Sequence, residues 1–333
     1  MGGASDGGGS IRIPAGYGGT FGLKSSRGRI SSGPQHDEGW LGASVNGVIA
    51  RSVRDSAAML DVLAGAEPGD PFRIPAPEPS FAEAISHAPG PLRIGYFTES
   101  PLGTLVHPEC IKAAEETAKK LEALGHHVEP ASTGVDGLAL AKCYLHMYLG
   151  EVAWEIDYAK RHLNARGRDF ELDTRMLGML GRSLSAGAFA DIRHQWNGFA
   201  RRLGAYFQRY DLYLCPTAAQ PPAKIHELDL PKGTQVLMKI LLALRPGKLL
   251  LKTNLLDDLA KDSLSRTPFT QLANLTGTPA MSVPMHVTPE GLPQGVMLGA
   301  AFGQEGLLLQ LARQLEEAHP WQPRLDALWE RLG

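Results

Sequence analysis

The sequence predicts an α/β fold in which helices cover a central sheet. Three observations point there. Short strand-like runs alternate with amphipathic helical stretches, the 43% apolar content of 333 residues can fill one sizeable core, and no internal repeat divides the chain. In chain order, Gly47-Val48-Ile49-Ala50 reads as a short buried strand. Ser52-Val53-Arg54-Asp55 then opens a helix in capping-box fashion, with Val53, Ala57, Leu60 and Leu63 as its stripe and Gly65 as its stop. Residues 67–91 are rich in proline and read as a surface excursion around a short segment at Phe81–Ile85. Leu92–Phe97 is the next strand. Pro108 opens a helix with Ile111, Ala114, Ala118, Leu121 and Leu124 on one face, Gly125 closes it, and His127–Pro130 is extended again. Such a succession builds a sheet with helical crossovers.

From residue 138 to 208 the pattern becomes almost continuously helical, with Trp154, Tyr158, Met176, Met179, Phe189, Trp196 and Tyr206 spread through it. Aromatic and methionine stripes at helical spacing usually pack against a neighbouring layer. Residues 231–266 carry Lys232, Lys239, Arg245, Lys248, Lys252, Lys261 and Arg266 between leucine pairs, with Asp257, Asp258 and Asp262 interrupting them. A basic amphipathic helix can meet a membrane surface or a partner, but a solvated charged face over a leucine core face is the stronger reading. Leu307, Leu308, Leu311 and Leu315 mark a last amphipathic helix, with Trp321 packing just beyond it.

Composition excludes several classes of function. The formal charge is −2 and no basic stripe appears, so nucleic acid is not an expected partner. Cys110, Cys143 and Cys215 stand far apart, which argues against zinc or a disulfide framework and fits a reducing cytoplasm. No apolar run approaches the ~20 residues that cross a bilayer and no signal pattern opens the chain, so a soluble protein without a membrane partner is expected. The histidines are scattered, no His-Glu-x-x-His occurs, and the glycine run lacks a phosphate-binding lysine; neither a metal nor a cofactor is expected.

The chemistry concentrates in Asp6-Gly7-Gly8-Gly9-Ser10-Ile11-Arg12-Ile13-Pro14. Three glycines without Cβ atoms let backbone N–H groups converge on a developing oxyanion, and Ser10 follows as the nucleophile. A flexible glycine tail is the bland alternative, which the Ser-Ile-Arg-Ile-Pro continuation disfavours. Asp6 and Arg12 flank the turn with opposite charges and read as supports that hold its shape.

This motif, with Gly18-Gly19-Thr20-Phe21-Gly22-Leu23-Lys24 and Arg27-Gly28-Arg29 behind it, resembles the second half of the amidase signature, the mark of a family of serine-dependent amide hydrolases. Asp211–Thr217, Phe269–Asn274, Gly277–Pro284 and Gly291–Met297 resemble later segments of the same family, so the likeness runs from residue 4 to about Trp321. It implies a single domain over 1–333, an α/β/α sandwich with a mixed central sheet, and a small-molecule amide as the ligand. It also implies a Ser10 acyl-enzyme, an oxyanion hole from the N–H groups of Gly7, Gly8, Gly9 and Ser10, and a helical substrate-side insertion at 138–208 in which Cys143, Tyr144, Tyr148 and Trp154 are pocket candidates. Homodimerisation stays open.

Family members activate the nucleophile through an upstream lysine and a second serine joined by a cis peptide bond. Only nine residues precede Ser10 here, the first lysine is Lys24, and Ser5 is too close to serve as the second serine. The expectation is therefore a chain truncated at its N-terminus, inactive or weakly active by itself, since a serine without a base is a poor nucleophile. Within the family the motifs look most like the 6-aminohexanoate-cyclic-dimer hydrolase group. The alternatives are the amidase subunit of a glutamine-dependent tRNA amidotransferase, whose Asp-Thr-Gly-Gly-Ser form is not present, and a non-catalytic scaffold on the same fold.

Overall fold

A computed structural model describes residues 1–332 except 35, 37, 252 and 254. The strands are β1 (Gly2–Asp6), β2 (Phe21–Lys24), β3 (Val45–Ala50), β4 (Arg93–Tyr96), β5 (His127–Pro130), β6 (Leu212–Pro216), β7 (Ala280–Val287) and β8 (Pro293–Ala300). The helices are α1 (Arg12–Gly18), α2 (Val53–Leu63), α3 (Phe81–Ala84), α4 (Pro108–Ala123), α5 (Gly137–His162), α6 (Leu172–Gly181), α7 (Ala186–Tyr206), α8 (Lys232–Leu244), α9 (Gly247–Leu250), α10 (Leu255–Leu264), α11 (Gln271–Thr276), α12 (Glu305–Ala318) and α13 (Gln322–Leu332).

The chain divides into two compact units. The first comprises residues 1–136, 199–222 and 266–333; the second comprises 137–198 and 223–265. The helical insertion expected at 138–208 thus supplies the second unit only as far as residue 198, and a distant segment, 223–265, joins it.

In the first unit all eight strands form one sheet, ordered β1-β3-β2-β7-β8-β6-β4-β5. Pairing is antiparallel from β1 to β6 and parallel where β4 joins β6 and β5, so the sheet is mixed. The parallel pair β4 and β5 is joined through α4, the crossover read from the sequence. The buried face of α4 is Cys110, Ala113, Ala114, Thr117, Ala118 and Leu121, rotated from the expected stripe so that Ile111 and Leu124 are only half-buried. Ser52 caps α2 by accepting from the Asp55 N–H at 3.1 Å. The core joins sheet residues Phe21, Ile94, Leu214, Val283, Val296 and Leu298 to α2, α4 and α12, and Trp321 is fully buried with its indole N–H donated to the Arg51 carbonyl.

The second unit packs α5, α6, α8, α9 and α10 around Leu149, Met179 and Leu180. Here one expectation is corrected. The leucine-rich segment was expected to bury its apolar face; Leu242, Leu250, Leu251 and Leu259 do pack on this core and Leu264 is buried, yet α8 has no buried residue, and Val236, Leu237, Ile240 and Leu244 lie exposed. The reason is a narrow contact: Gln235, Met238, Leu241 and Leu242 supply its half-buried side, leaving the opposite stripe open. Lys252 and the Asp257 side chain lie outside the described residues. No helix among the described residues is long and apolar enough to cross a membrane.

Candidate active site

The site grows from the end of β1. Asp6 pairs with Val45 as the last strand residue and is completely buried, and the chain then turns through Gly7, Gly8, Gly9 and Ser10 into α1. One carboxylate shapes this turn. Asp6 Oδ1 accepts from the Gly9 N–H at 2.8 Å, and Oδ2 from the Ile11 N–H at 3.2 Å. The Arg12 side chain, also fully buried, returns to it through Nε at 3.0 Å and a terminal nitrogen at 2.9 Å. Burial alone would push the Asp6 carboxyl up, but the Arg12 charge and hydrogen bonds, with a further bond from Asn274, hold it well below the usual carboxylate range.

Glycine is required at two points of the turn. A Cβ on Gly7 would lie 2.6 Å from the Trp40 ring. Gly9 has φ +128°, and a Cβ there would stand 2.5 Å from Ile13 Cδ1 and 2.6 Å from Thr270 Oγ1.

A second layer reaches the turn from the far end of the chain. Thr270 Oγ1 donates to the Gly8 carbonyl at 2.6 Å, and Gln271 Nε2 approaches the same oxygen at 3.3 Å. Asn274 Nδ2 donates to the Asp6 carbonyl, to Asp6 Oδ1 and to the Ala43 carbonyl, while its Oδ1 accepts from Arg12 at 2.7 Å. Arg12 also donates to the Thr270 carbonyl at 2.8 Å. The sequence reading missed these three polar side chains as site residues. Their signal is the placement of Gln271 and Asn274 in α11, a short helix whose residues are all buried, with the buried Thr270 directly before it.

The arrangement leaves Ser10 exposed, and its hydroxyl has no hydrogen-bond partner among the described residues. Among the four N–H groups expected to form the oxyanion hole, that of Gly9 is directed at Asp6; those of Gly7, Gly8 and Ser10 have no acceptor among the described residues. An exposed hydroxyl and backbone N–H groups without an acceptor among the described residues are therefore adjacent in the chain. Beneath α1, Gly16 approaches Gly295 so closely that a Cβ on Gly295 would lie 2.6 Å from the Gly16 Cα, and Thr217 and Ser282 share a hydrogen bond of 2.8 Å there.

Lys24 is the nearest lysine in sequence to Ser10. It is completely buried and its Nζ donates to the Ser25 carbonyl at 2.8 Å. Burial first, and the neighbouring charges of Arg12 and Arg27 next, lower its pKa from 10.5 to about 7 against the opposing pull of Asp6 and Glu305. Between those two values the unfolded chain holds this proton and the folded chain does not, so stability rises with pH across that window and the full burial penalty applies below it. Lys24→Met is therefore expected to gain stability over the parent near pH 6, with the gap shrinking by about pH 9 in urea titrations. A gap independent of pH would contradict the assignment.

The four pocket candidates belong to the second unit, whereas Ser10 belongs to the first. Cys143 is buried and its thiol donates to the Ile192 carbonyl at 3.2 Å; burial pushes its pKa up to about 12, the environment of a packing thiol. Tyr144 is buried and stacks on Tyr148 with centroids 6.1 Å apart, and burial raises the Tyr148 phenol. Trp154 is about half exposed and lies against Tyr158.

Known proteins share both the sequence and the fold. The chain matches the amidase family over residues 1–309. It is 36% identical over 331 residues to 6-aminohexanoate-cyclic-dimer hydrolase of Pseudomonas sp. (strain NK87), covering 97% of this chain and 64% of that protein. It is 33% identical over 330 residues to the putative amidase AmiA2 of Mycobacterium tuberculosis (strain ATCC 25618 / H37Rv), covering 98% and 61%. A solved structure of 6-aminohexanoate cyclic dimer hydrolase superposes with a TM-score of 0.85 at 35% identity, over 96% of this chain and 65% of that one. A glutamyl-tRNA(Gln) amidotransferase subunit from Thermotoga maritima shares the fold, with a TM-score of 0.68 at 23% identity over 96% of this chain and 62% of that one. The chain spans a little under two thirds of the length of these relatives, and across that span it belongs to the amidase signature family.

Proposed function

We propose that the protein is an amidohydrolase that cleaves linear or cyclic carboxamides through an acyl-enzyme on Ser10. The observation that carries this reading is the exposed Ser10 hydroxyl on a turn fixed by the buried Asp6–Arg12 pair, beside uncommitted N–H groups of Gly7, Gly8 and Ser10. Ser10 Oγ attacks the amide carbon as its proton passes to a base, and the backbone donors take up the charge on oxygen. The C–N bond then breaks as the amine leaves with a proton, and water releases the acid. Lys24 does not suit the role of base, because its buried Nζ is bonded to Ser25. The family resemblance instead implies a lysine and a second serine as the base.

The names of the relatives support cyclic amides of an ω-amino acid among the substrates. The free, buried thiols of Cys110, Cys143 and Cys215 suit a reducing cytoplasm. The amidotransferase reading has less support: its solved relative shares only the fold, and Gly7 stands where the Asp-Thr-Gly-Gly-Ser form has threonine. The test is release of free amine from 6-aminohexanoate cyclic dimer. Whatever turnover the chain shows should fall to the buffer rate in Ser10→Ala, with an unchanged melting temperature because the side chain is exposed. Turnover that survives the substitution would exclude Ser10 as nucleophile.

A further inference from the structure

We infer that α8 docks the protein on an anionic lipid surface. Val236, Ile240 and Leu244 follow one another at i, i+4 and i+8, with Leu237 beside them, so they form one stripe along the helix. All four are 50–72% exposed, and the other side of the helix packs on α6. Leu249, just beyond the turn at Arg245, extends the apolar surface. A contiguous apolar patch of this kind on an otherwise polar surface marks an interaction site.

Charge identifies the occupant. Between Pro231 and Leu250 the sequence has Lys232, Lys239, Arg245 and Lys248 and no acidic residue, although the whole chain carries a formal charge of −2. None of these four cations has an ion-pair partner among the described residues. Lys232 and Lys239 lie on one flank of the stripe, separated by seven residues, or about two helical turns. Leucine, valine and isoleucine flanked by unpaired lysines suit insertion into the boundary between head groups and acyl chains, with the cations facing lipid phosphates. A second copy fits less well. An isologous pairing along this stripe would bring Lys232, Lys239, Arg245 and Lys248 of two copies together with no acid between Pro231 and Leu250 to intervene. The patch also lacks the tryptophan and tyrosine anchors that are prominent in protein interfaces.

The occupant is thus a peripheral lipid surface. The test is flotation of the 333-residue chain with vesicles of phosphatidylcholine alone and with about 30% phosphatidylserine. At least ~10-fold stronger binding to the anionic vesicles is expected, weakening as salt is raised. The Val236→Gln, Leu237→Gln, Ile240→Gln, Leu244→Gln variant should keep the parent's melting temperature, since glutamine is a good helix former and the positions are exposed, yet lose at least ~10-fold in binding. Lys232→Glu with Lys239→Glu should lose the preference for phosphatidylserine. Failure of the parent to float, equal binding to both vesicle types, or equal binding by the glutamine variant would each overturn the inference. So would a dimer of the parent that the glutamine variant abolishes while neither protein floats, since the face would then join two copies.

Discussion

Asp6→Ala should destabilise the fold by about 3–5 kcal/mol, because it leaves the Arg12 guanidinium charged, buried and without its counter-ion. The same change removes the acceptor for the Gly9 and Ile11 N–H groups and for Asn274, so the turn loses its shape together with its stability. Urea titration measures the loss, and the double variant Asp6→Ala/Arg12→Ala should cost less than the two single changes added together, since neither buried charge is then stranded. The depressed pKa of Asp6 fixes the pH dependence. Its stabilisation is present above the ordinary carboxylate range and is lost only as pH falls through the lowered folded value, so the parent should resist moderate acid better than the variant. A single variant within about 1 kcal/mol of the parent would show that the pair is not a strut of the turn.

Gly9→Val should be comparably severe for a different reason. The backbone at φ +128° disfavours any side chain, and a β-branched one must also displace Ile13 and Thr270, for a combined cost of roughly 2–6 kcal/mol. The Thr270 bond to the Gly8 carbonyl sits at the same point, so the N–H groups beside Ser10 should lose their alignment as well. Gly3→Ala is the internal control: a Cβ there meets nothing within 4 Å, and the change should leave thermal stability essentially intact. Equal effects of Gly3→Ala and Gly9→Val would mean that the turn imposes no special conformation.

The local parts of this site were legible in the sequence because their physical requirements are local. A glycine run between an aspartate and an arginine, six residues apart, specifies a tight turn and its ion pair with little help from the rest of the chain. The crossover β4-α4-β5 was legible for the same reason, since periodicity changes from two to 3.6 and back within one stretch. Strand order was not, because β2 lies between β3 and β7, a pairing that brings Gly22 against Ser282 from a distant part of the chain. Thr270 and Asn274 were hidden by the same separation; their roles exist only once α11 is laid against the glycine turn. The Gly9 N–H illustrates a subtler limit. Sequence placed it among four equivalent donors, and only the position of the Asp6 carboxylate sets it apart. The leucines of α8 mark another, since periodicity identifies an apolar stripe and cannot say whether a second layer covers it.

Whether this turn presents Ser10 as an acyl-accepting nucleophile is read by reacting the chain with a fluorophosphonate and locating the adduct by peptide mass spectrometry. One adduct is expected, on Ser10, formed slowly because no partner among the described residues activates the hydroxyl, and absent from Ser10→Ala and Gly9→Val. An adduct on another residue, or a peptide carrying unmodified Ser10 after exhaustive exposure, would contradict this reading of the turn.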